Sequence, residues 1–186
     1  MYNPYAVGKR VYLRHPTEED VQGRWHEWLS DEKTTRWLGA RTWPNSREAQ
    51  QEFYEATKRS RERLVLSIVD IETDQHVGVC SLSGIDWIHR YADLAVVIGE
   101  PTFRSGPCVA DVMALLLKIA FLRLNLRIVK GGYMSSNLAT EAILKVFRFE
   151  EVGRYKALYW SDGAHVDSVL VMLDRETWMR RNGYIR

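Results

Sequence analysis

The sequence predicts an α/β (α+β) fold, a mixed sheet with flanking helices, on three observations. Short β-branched runs alternate with longer segments of helical period. The most apolar of these, a buried strand over 94–98 and a helix over 112–124, meet in the middle of the chain around a small-residue loop. A strong hairpin signal, Asp162-Gly163, lies between two runs of strand character near the carboxyl end.

Taken in order, residues 10–14 alternate Val11 and Leu13 with polar residues and read as a half-buried strand. Thr17 caps a helix with Glu18, Glu19 and Asp20 in its first turn, where the helix dipole favours acids, and with Trp25, Trp28 and Leu29 as its apolar face. Trp37 and Trp43 fall in a linking segment with Gly39 and Pro44, and Asn45 or Ser46 caps a second helix running to about residue 61, Ala49, Phe53 and Ala56 inward. A β-meander follows, with strands over 64–71, 76–82 and 91–98 and a connector over 84–89 that holds Asp86 and Trp87. After the central helix come a strand over 127–133, a helix started by Ser136 and Asn137 that ends near Phe147, a hairpin over 152–160 and 166–173, and a short helix from Arg175. Neither an internal repeat nor a low-complexity linker interrupts the 186 residues, so one domain is expected over 1–186.

The composition narrows the function classes. A formal net charge of +2, dispersed along the chain, argues against a nucleic-acid partner; the basic run 58–63 carries Glu62 and reads as a solvated helix end. Two cysteines, Cys80 and Cys108, make neither a disulfide framework nor a metal quartet, and His15, His26, His76 and His165 have no metal-ligand spacing. The expectation is therefore no metal. The amino terminus has no apolar signal region and no run is long enough to span a bilayer, so a cytoplasmic protein with no membrane partner is expected.

The central element suggests chemistry. A strand stopped by Gly99 and Pro101, the loop 104–110 and the start of an apolar helix together make an anion site, because the first helical N–H groups lack internal partners and the dipole favours negative charge. A phosphorylated cofactor is the ligand to expect there; an ordinary strand-to-helix turn is the alternative.

This order of elements resembles the GNAT superfamily of acyl-CoA N-acyltransferases, in particular the branch of ribosomal-protein N-terminal and amino-sugar acetyltransferases. The likeness covers nearly the whole chain: "GKRVYLRHPTEEDV", "GEPTFRSGPCVADVMALLLKIAF" and "SSNLATEAILKVFRFEEVGRYKALYWSDGAHVDSVLVML" fall in family order and spacing. It implies a mostly antiparallel sheet and acetyl-CoA, or another acyl-CoA, as co-substrate. The family's cofactor signature, Gln/Arg-x-x-Gly-x-Gly/Ala, corresponds to 104–109. Arg104 matches its first position, but Pro107 and Val109 stand in place of glycines and Ser105 replaces a further one. Those glycines let the backbone approach the pyrophosphate, and Pro107 has no N–H to give. Gly106, Cys108, Val109 and Ala110 retain theirs, and Arg104 has a fork for a phosphate. By the same resemblance Val96, Val97 and Ile98 meet the pantetheine arm through their backbone and Asn137 lies beside it, although Asn also caps helices with no ligand present. Leu144 stands where many relatives carry a proton-donating tyrosine, and Arg148 replaces the usual glycine before Phe149. Proton delivery then falls to water, to Tyr133 or to no specific donor.

Acyl transfer to an amine needs a neutral amine beside the thioester and a destination for its proton. Asp93 occupies the strand position where relatives often carry an acidic base, and Asp86 and His89 are the other candidates. Cys108, at a helix start, is either a nucleophile or a small packing residue. Trp25, Trp28, Trp37, Trp43, Trp87, Tyr159 and Trp160 are candidate walls for an acceptor with a ring. The sequence reading is an acyl-CoA-dependent N-acetyltransferase acting on a small primary amine such as an amino sugar. A protein N-terminus as acceptor, or a catalytically silent binding module, are the alternatives, and a homodimer is compatible with the sequence.

Overall fold

The computed structural model describes residues 1–39 and 43–185. Among these, strands β1 (Ala6–Val7), β2 (Val11–Arg14), β3 (Arg63–Asp70), β4 (His76–Asp86), β5 (Tyr91–Ile98), β6 (Ile128–Met134), β7 (Glu150–Ser161) and β8 (Ala164–Asp174) form one sheet in the order β1-β2-β3-β4-β5-β6-β8-β7. Every neighbouring pair is antiparallel except β5 with β6. Helices α1 (Glu18–Gln22), α2 (Trp25–Ser30), α3 (Glu32–Thr35) and α4 (Arg47–Lys58) precede the meander. Helix α5 (Gly106–Lys118), prolonged by a π-helical turn Ile119–Arg123, links β5 to β6; α6 (Leu138–Val146) follows β6 and α7 (Arg175–Arg181) follows β8. The mixed, mostly antiparallel sheet expected from the sequence is thus present.

Side-chain alternation divides the sheet into two packed faces. On one, Val112, Leu116 and Phe121 of α5 and its extension, Leu144 of α6 and Trp178 of α7 cover Leu66, Leu82, Ala92, Val129 and Val171. On the other, Val21, Trp25, Trp28 and Tyr54 from α1, α2 and α4 cover Val65 and Val79, with Val97 at the margin.

Several local expectations change in three dimensions. The strand at 11–14 is buried on both faces, because the Tyr12 hydroxyl donates to Asp74 (2.7 Å) and Arg14 reaches a buried acid. The first helix breaks at Gly23, and Asp31 caps the additional short helix α3 by accepting from the Thr34 N–H. The middle of the linking segment, 40–42, lies outside the described residues. Helix α4 ends at Lys58 and buries Gln50, Tyr54 and Thr57, whereas Ala49, Phe53 and Ala56 are exposed. Turning the large Tyr54 inward removes more apolar surface from water than two alanines can; Phe53 keeps an edge-on contact with Trp25 at the rim (6.0 Å). The central helix begins six residues before the apolar run, at Gly106, and strand β4 extends through Asp86. The carboxyl-terminal hairpin turns where expected, with positive φ at Asp162 (52°) and Gly163 (82°).

Two features anchor this frame. Thr17 and Asp20 form a reciprocal capping box, and the same Asp20 carboxylate takes both arms of Arg14 (2.5 and 2.8 Å) and the Ser67 hydroxyl (2.7 Å). Burial alone would push this carboxyl up; the Arg14 fork and its other donors overcome that and hold it below the usual range. At the end of α6 the N–H of Arg148 donates to Lys145 and that of Phe149 to Leu144, both at 3.0 Å, which places Arg148 in the left-handed region (φ 62°).

Two tests follow from these anchors. Asp20→Asn leaves the Arg14 charge buried without its partner and is expected to cost about 3–5 kcal/mol in urea unfolding at neutral pH. A depressed carboxyl stabilises the fold above its unfolded pKa of about 4 and loses that contribution as pH falls further, so the variant is expected to show a shallower acid decline than the native chain. Arg148→Gly removes left-handed strain from a side-chain-bearing residue and is expected to raise stability by about 1 kcal/mol; a lower melting temperature would refute that account.

Candidate active site

The site begins where β5 and β6 part. Their parallel ladder has three register pairs, Tyr91 with Ile128, Ala92 with Val129 and Asp93 with Lys130, and then stops. Beyond it β5 keeps to β4 as far as Ile98, while β6 keeps to β8 as far as Met134. The result is a wedge whose β5 side, 94–98, is about 13 Å long at about 3.3 Å per residue. Backbone direction decides which groups face it. The Val97 carbonyl turns to β4, so close that a side chain on Gly78 would meet it at 2.3 Å. By alternation Leu94, Val96 and Ile98 present theirs to the wedge, consistent with the Leu94 carbonyl lying against Gly131. Of the three residues expected to meet an extended arm, the structure therefore aims Val96 into the opening and Val97 away, while Ile98 turns to the same side as Val96 but gives its carbonyl to Arg104.

Helix α5 rises at the mouth. Ser105 is its N-cap, without a side-chain cap bond, Pro107 sits in its first turn, and the first helical bond runs from the Val109 N–H to the Ser105 carbonyl (3.1 Å). That bond removes Val109 from the expected donors, and helix geometry gives the Ala110 N–H to Gly106. Gly106 and Cys108 are left with N–H groups ahead of the first turn, and the space beside Gly106 is open. Arg104 is committed elsewhere: its guanidinium donates to the Ile98 carbonyl (3.1 Å), the Gly99 carbonyl (2.8 Å) and the Thr34 hydroxyl (2.6 Å). It ties the donor loop to α3. Asn137 caps α6 by accepting from the Thr140 N–H (3.1 Å) and is buried at the end of the parted β6. Cys108 is 1% exposed in the core and burial pushes its thiol up, so the nucleophile reading fails and the packing reading stands.

Asp93 projects from the last rung of the ladder onto the face opposite α5. Its Oδ2 accepts from Lys130 Nζ at 2.7 Å, with the two side chains 46% and 42% exposed. Cross-strand register puts Ser83 beside Asp93 and Ser81 beside Ala95, and alternation along β6 and β8 adds Gly132 and Ser168 to the same face. Ser81, Ser83 and Gly132 make a small strip beside Asp93 and Lys130, with the apolar Leu170 and Met172 of β8 next to it. Asp86 and His89 stand at the other end of β5: the Asp86 carboxylate accepts from the N–H groups of Ile88 (2.9 Å) and His89 (2.7 Å) and so shapes the hairpin turn. The structure brings neither to the wedge. Among the expected aromatic walls, Trp25 and Trp28 are core, Trp87 donates to the Arg61 carbonyl at the hairpin tip, and Trp160 packs on His165. Leu144 is buried among apolar neighbours, whereas Tyr133 lies on the parted stretch of β6, where burial, then the charges of Glu141 and Glu151, raise its phenol and keep it protonated at neutral pH. Lys130 is the residue that sequence reasoning missed; its signal is a lone lysine within an otherwise apolar and glycine strand, 128–134. Among the described residues no group of three or more His, Cys, Asp or Glu side chains is placed to hold a metal ion, and no helix is long and apolar enough to cross a membrane.

Comparison with known proteins agrees with this fold. Residues 10–150 match the acetyltransferase (GNAT) domain family, and the chain belongs to that family. A spermidine N-acetyltransferase from Vibrio cholerae, solved in complex with CoA and spermine, superposes with a TM-score of 0.82 at 17% identity over 91% of this chain and 98% of that one. A probable acetyltransferase (TM-score 0.81, 19% identity, 94% and 98% covered) and a GNAT-family acetyltransferase from Bacillus anthracis (0.77, 13%, 92% and 98%) share the fold. No curated protein sequence matches the chain.

The Arg104 contacts make a prediction. Arg104→Ala is expected to cost about 1–3 kcal/mol of stability, through lost charge-assisted hydrogen bonds, and to change CoA affinity less than tenfold. Calorimetry combined with thermal melting decides: lost binding with an unchanged melt would instead assign the guanidinium to a phosphate.

Proposed function

We propose that this protein moves an acetyl, or related acyl, group from acyl-CoA to the primary amine of a small molecule such as an amino sugar. The observation that carries the reading is the parted β5–β6 pair. It supports an extended arm entering beside Val96 and Ile98, with the free Gly106 and Cys108 N–H groups and the α5 dipole at its phosphate end. The Asp93 carboxylate waits on the opposite face at the inner end of the wedge.

In this reading the neutral amine attacks the thioester carbonyl, its C–N bond forms and the tetrahedral oxyanion is held by strand N–H groups. Collapse breaks the C–S bond. The amine proton passes to Asp93 and on to solvent, and the departing thiolate takes a proton from Tyr133 or water. Ser81 and Ser83, beside Ala95 and Asp93, support a hydroxylated acceptor, and the charge-balanced Asp93–Lys130 pair favours a single amine over a polycation. One observation favours a silent binding module as the second reading: Pro107 has no N–H and the Val109 N–H is consumed by the helix, so the phosphate end has fewer donors than the family pattern supplies.

The test is calorimetric titration with acetyl-CoA, followed by acetylation of glucosamine. Micromolar binding is expected, with Asp93→Asn lowering kcat by about 10²–10³ while leaving CoA affinity within threefold. An absence of binding in the native chain that Pro107→Gly with Val109→Gly restores would establish the silent reading.

A further inference from the structure

Lys130 stands beside Asp93, where the acceptor arrives in the reading above. Its Nζ lies 2.7 Å from Asp93 Oδ2 and 5.2 Å from the centre of the Tyr91 ring, at the last rung before the strands part. The other titratable or charged groups that register places near it on this face are Asp86, opposite Tyr91 on β4; Arg63 of β3, opposite Ser83; Glu150, which faces Met172 of β8, itself the partner of Lys130; and Tyr155, opposite Ser168. Among the described residues no hydrogen bond or ion pair from α1 to α4 reaches Asp93 or Lys130, and both remain open to solvent. The second oxygen of Asp93, Oδ1, is thus the one left for an incoming amine.

We propose that Lys130 sets the protonation state of the bound acceptor, holding it as the neutral amine that attack requires; this rests on the transferase reading above. Two donors on the two oxygens of one carboxylate sit roughly 5 Å apart when each bond is about 2.8 Å long. An acceptor in its ammonium form at Asp93 Oδ1 therefore meets a like charge at that distance, and the like charge favours the form without the proton. A carboxylate alone would do the opposite. It would bind the ammonium form well and stabilise it against giving up its proton, in a complex that forms readily and reacts slowly. With Lys130 present the pair is neutral overall, so Asp93 can accept the amine's proton without first trapping it as a cation. The proton balance is unchanged: one proton leaves the acceptor nitrogen for Asp93 and then solvent, and Lys130 keeps its own.

The experiment measures kcat against pH at saturating glucosamine and acetyl-CoA, because kcat reports ionisation within the enzyme–substrate complex. Lys130→Met is expected to move the acidic limb of the profile up by between about half and two and a half pH units, the span given by one unit charge at about 5 Å between aqueous and surface screening. At neutral pH kcat then falls and the KM for glucosamine falls with it, whereas a merely structural role would raise KM or leave the limb in place. Lys130→Arg keeps the charge and is expected to keep the limb within about 0.3 unit of the native one. Lys130→Gln supplies the same reading should the Met variant aggregate. An unmoved limb in both uncharged variants that still bind CoA overturns the role of Lys130 and leaves the transferase reading intact. A native chain that binds no acetyl-CoA, or binds it and acetylates no amine in a panel of glucosamine, ethanolamine and benzylamine, overturns both.

Discussion

The parting of β5 from β6 after their third register pair is the constraint on which the rest of this protein depends. Each strand is held by its other neighbour: β5 by β4 through Ile98, and β6 by seven pairs with β8. A parallel ladder contributes slightly less per residue than an antiparallel one, so giving up part of the single parallel pairing is the cheapest place to open the sheet. What the opening leaves behind is the backbone of Leu94 and Val96 on β5 without a ladder partner, the Ile98 carbonyl being taken by Arg104, and groups of that kind need a partner of their own. In the proposed reading an extended ligand arm supplies one.

The elements around the wedge are tied down from several directions. Gly99 lies against Trp28 so closely that a side chain there would sit 1.9 Å from the indole, and the indole Nε1 in turn donates to the buried Glu100 carboxylate (3.2 Å), which also takes Arg24 (2.5 Å). Arg104 joins the same strand end to α3. Farther along α5, the Asp111 carboxylate accepts from the N–H groups of Lys9, Arg10 and Val11 at the β1–β2 turn, with Gly8 bare beneath it. The start of α5 is therefore pinned on both sides before any ligand arrives, and a site ordered in advance loses less entropy on binding.

Two carboxylate–cation pairs on the same side of the sheet show how burial sorts roles. Asp20 is enclosed with Arg14 and spends its oxygens on four protein donors, so its contribution is to stability. Asp93 shares one oxygen with Lys130 and keeps nearly half its surface in solvent, which leaves its other oxygen open. A glutamate or aspartate is legible in a sequence, but which of these situations it occupies is not.

The periodicities and turn signals were enough to order the longer strands and helices, though not β1, α3 or the break between α1 and α2, to place Thr17 and Asn137 as caps, to narrow the α4 cap to Asn45 or Ser46 and to locate the hairpin at Asp162-Gly163, because capping, turn chemistry and side-chain period act over a few residues. The central strand–loop–helix was legible for the same reason. Tertiary structure alone decided the phase of α4, where burying Tyr54 outweighed the local pattern, and the employment of Arg104, whose fork found carbonyls and a hydroxyl from segments as far as 70 residues away. It also decided that Asp93 and Lys130, 37 residues apart in sequence, meet at the inner end of the wedge, while Asp86 and His89, nearer to Asp93 in sequence, turn away from it. Strand register is set by the whole sheet at once, and only register determines which charged side chains become neighbours.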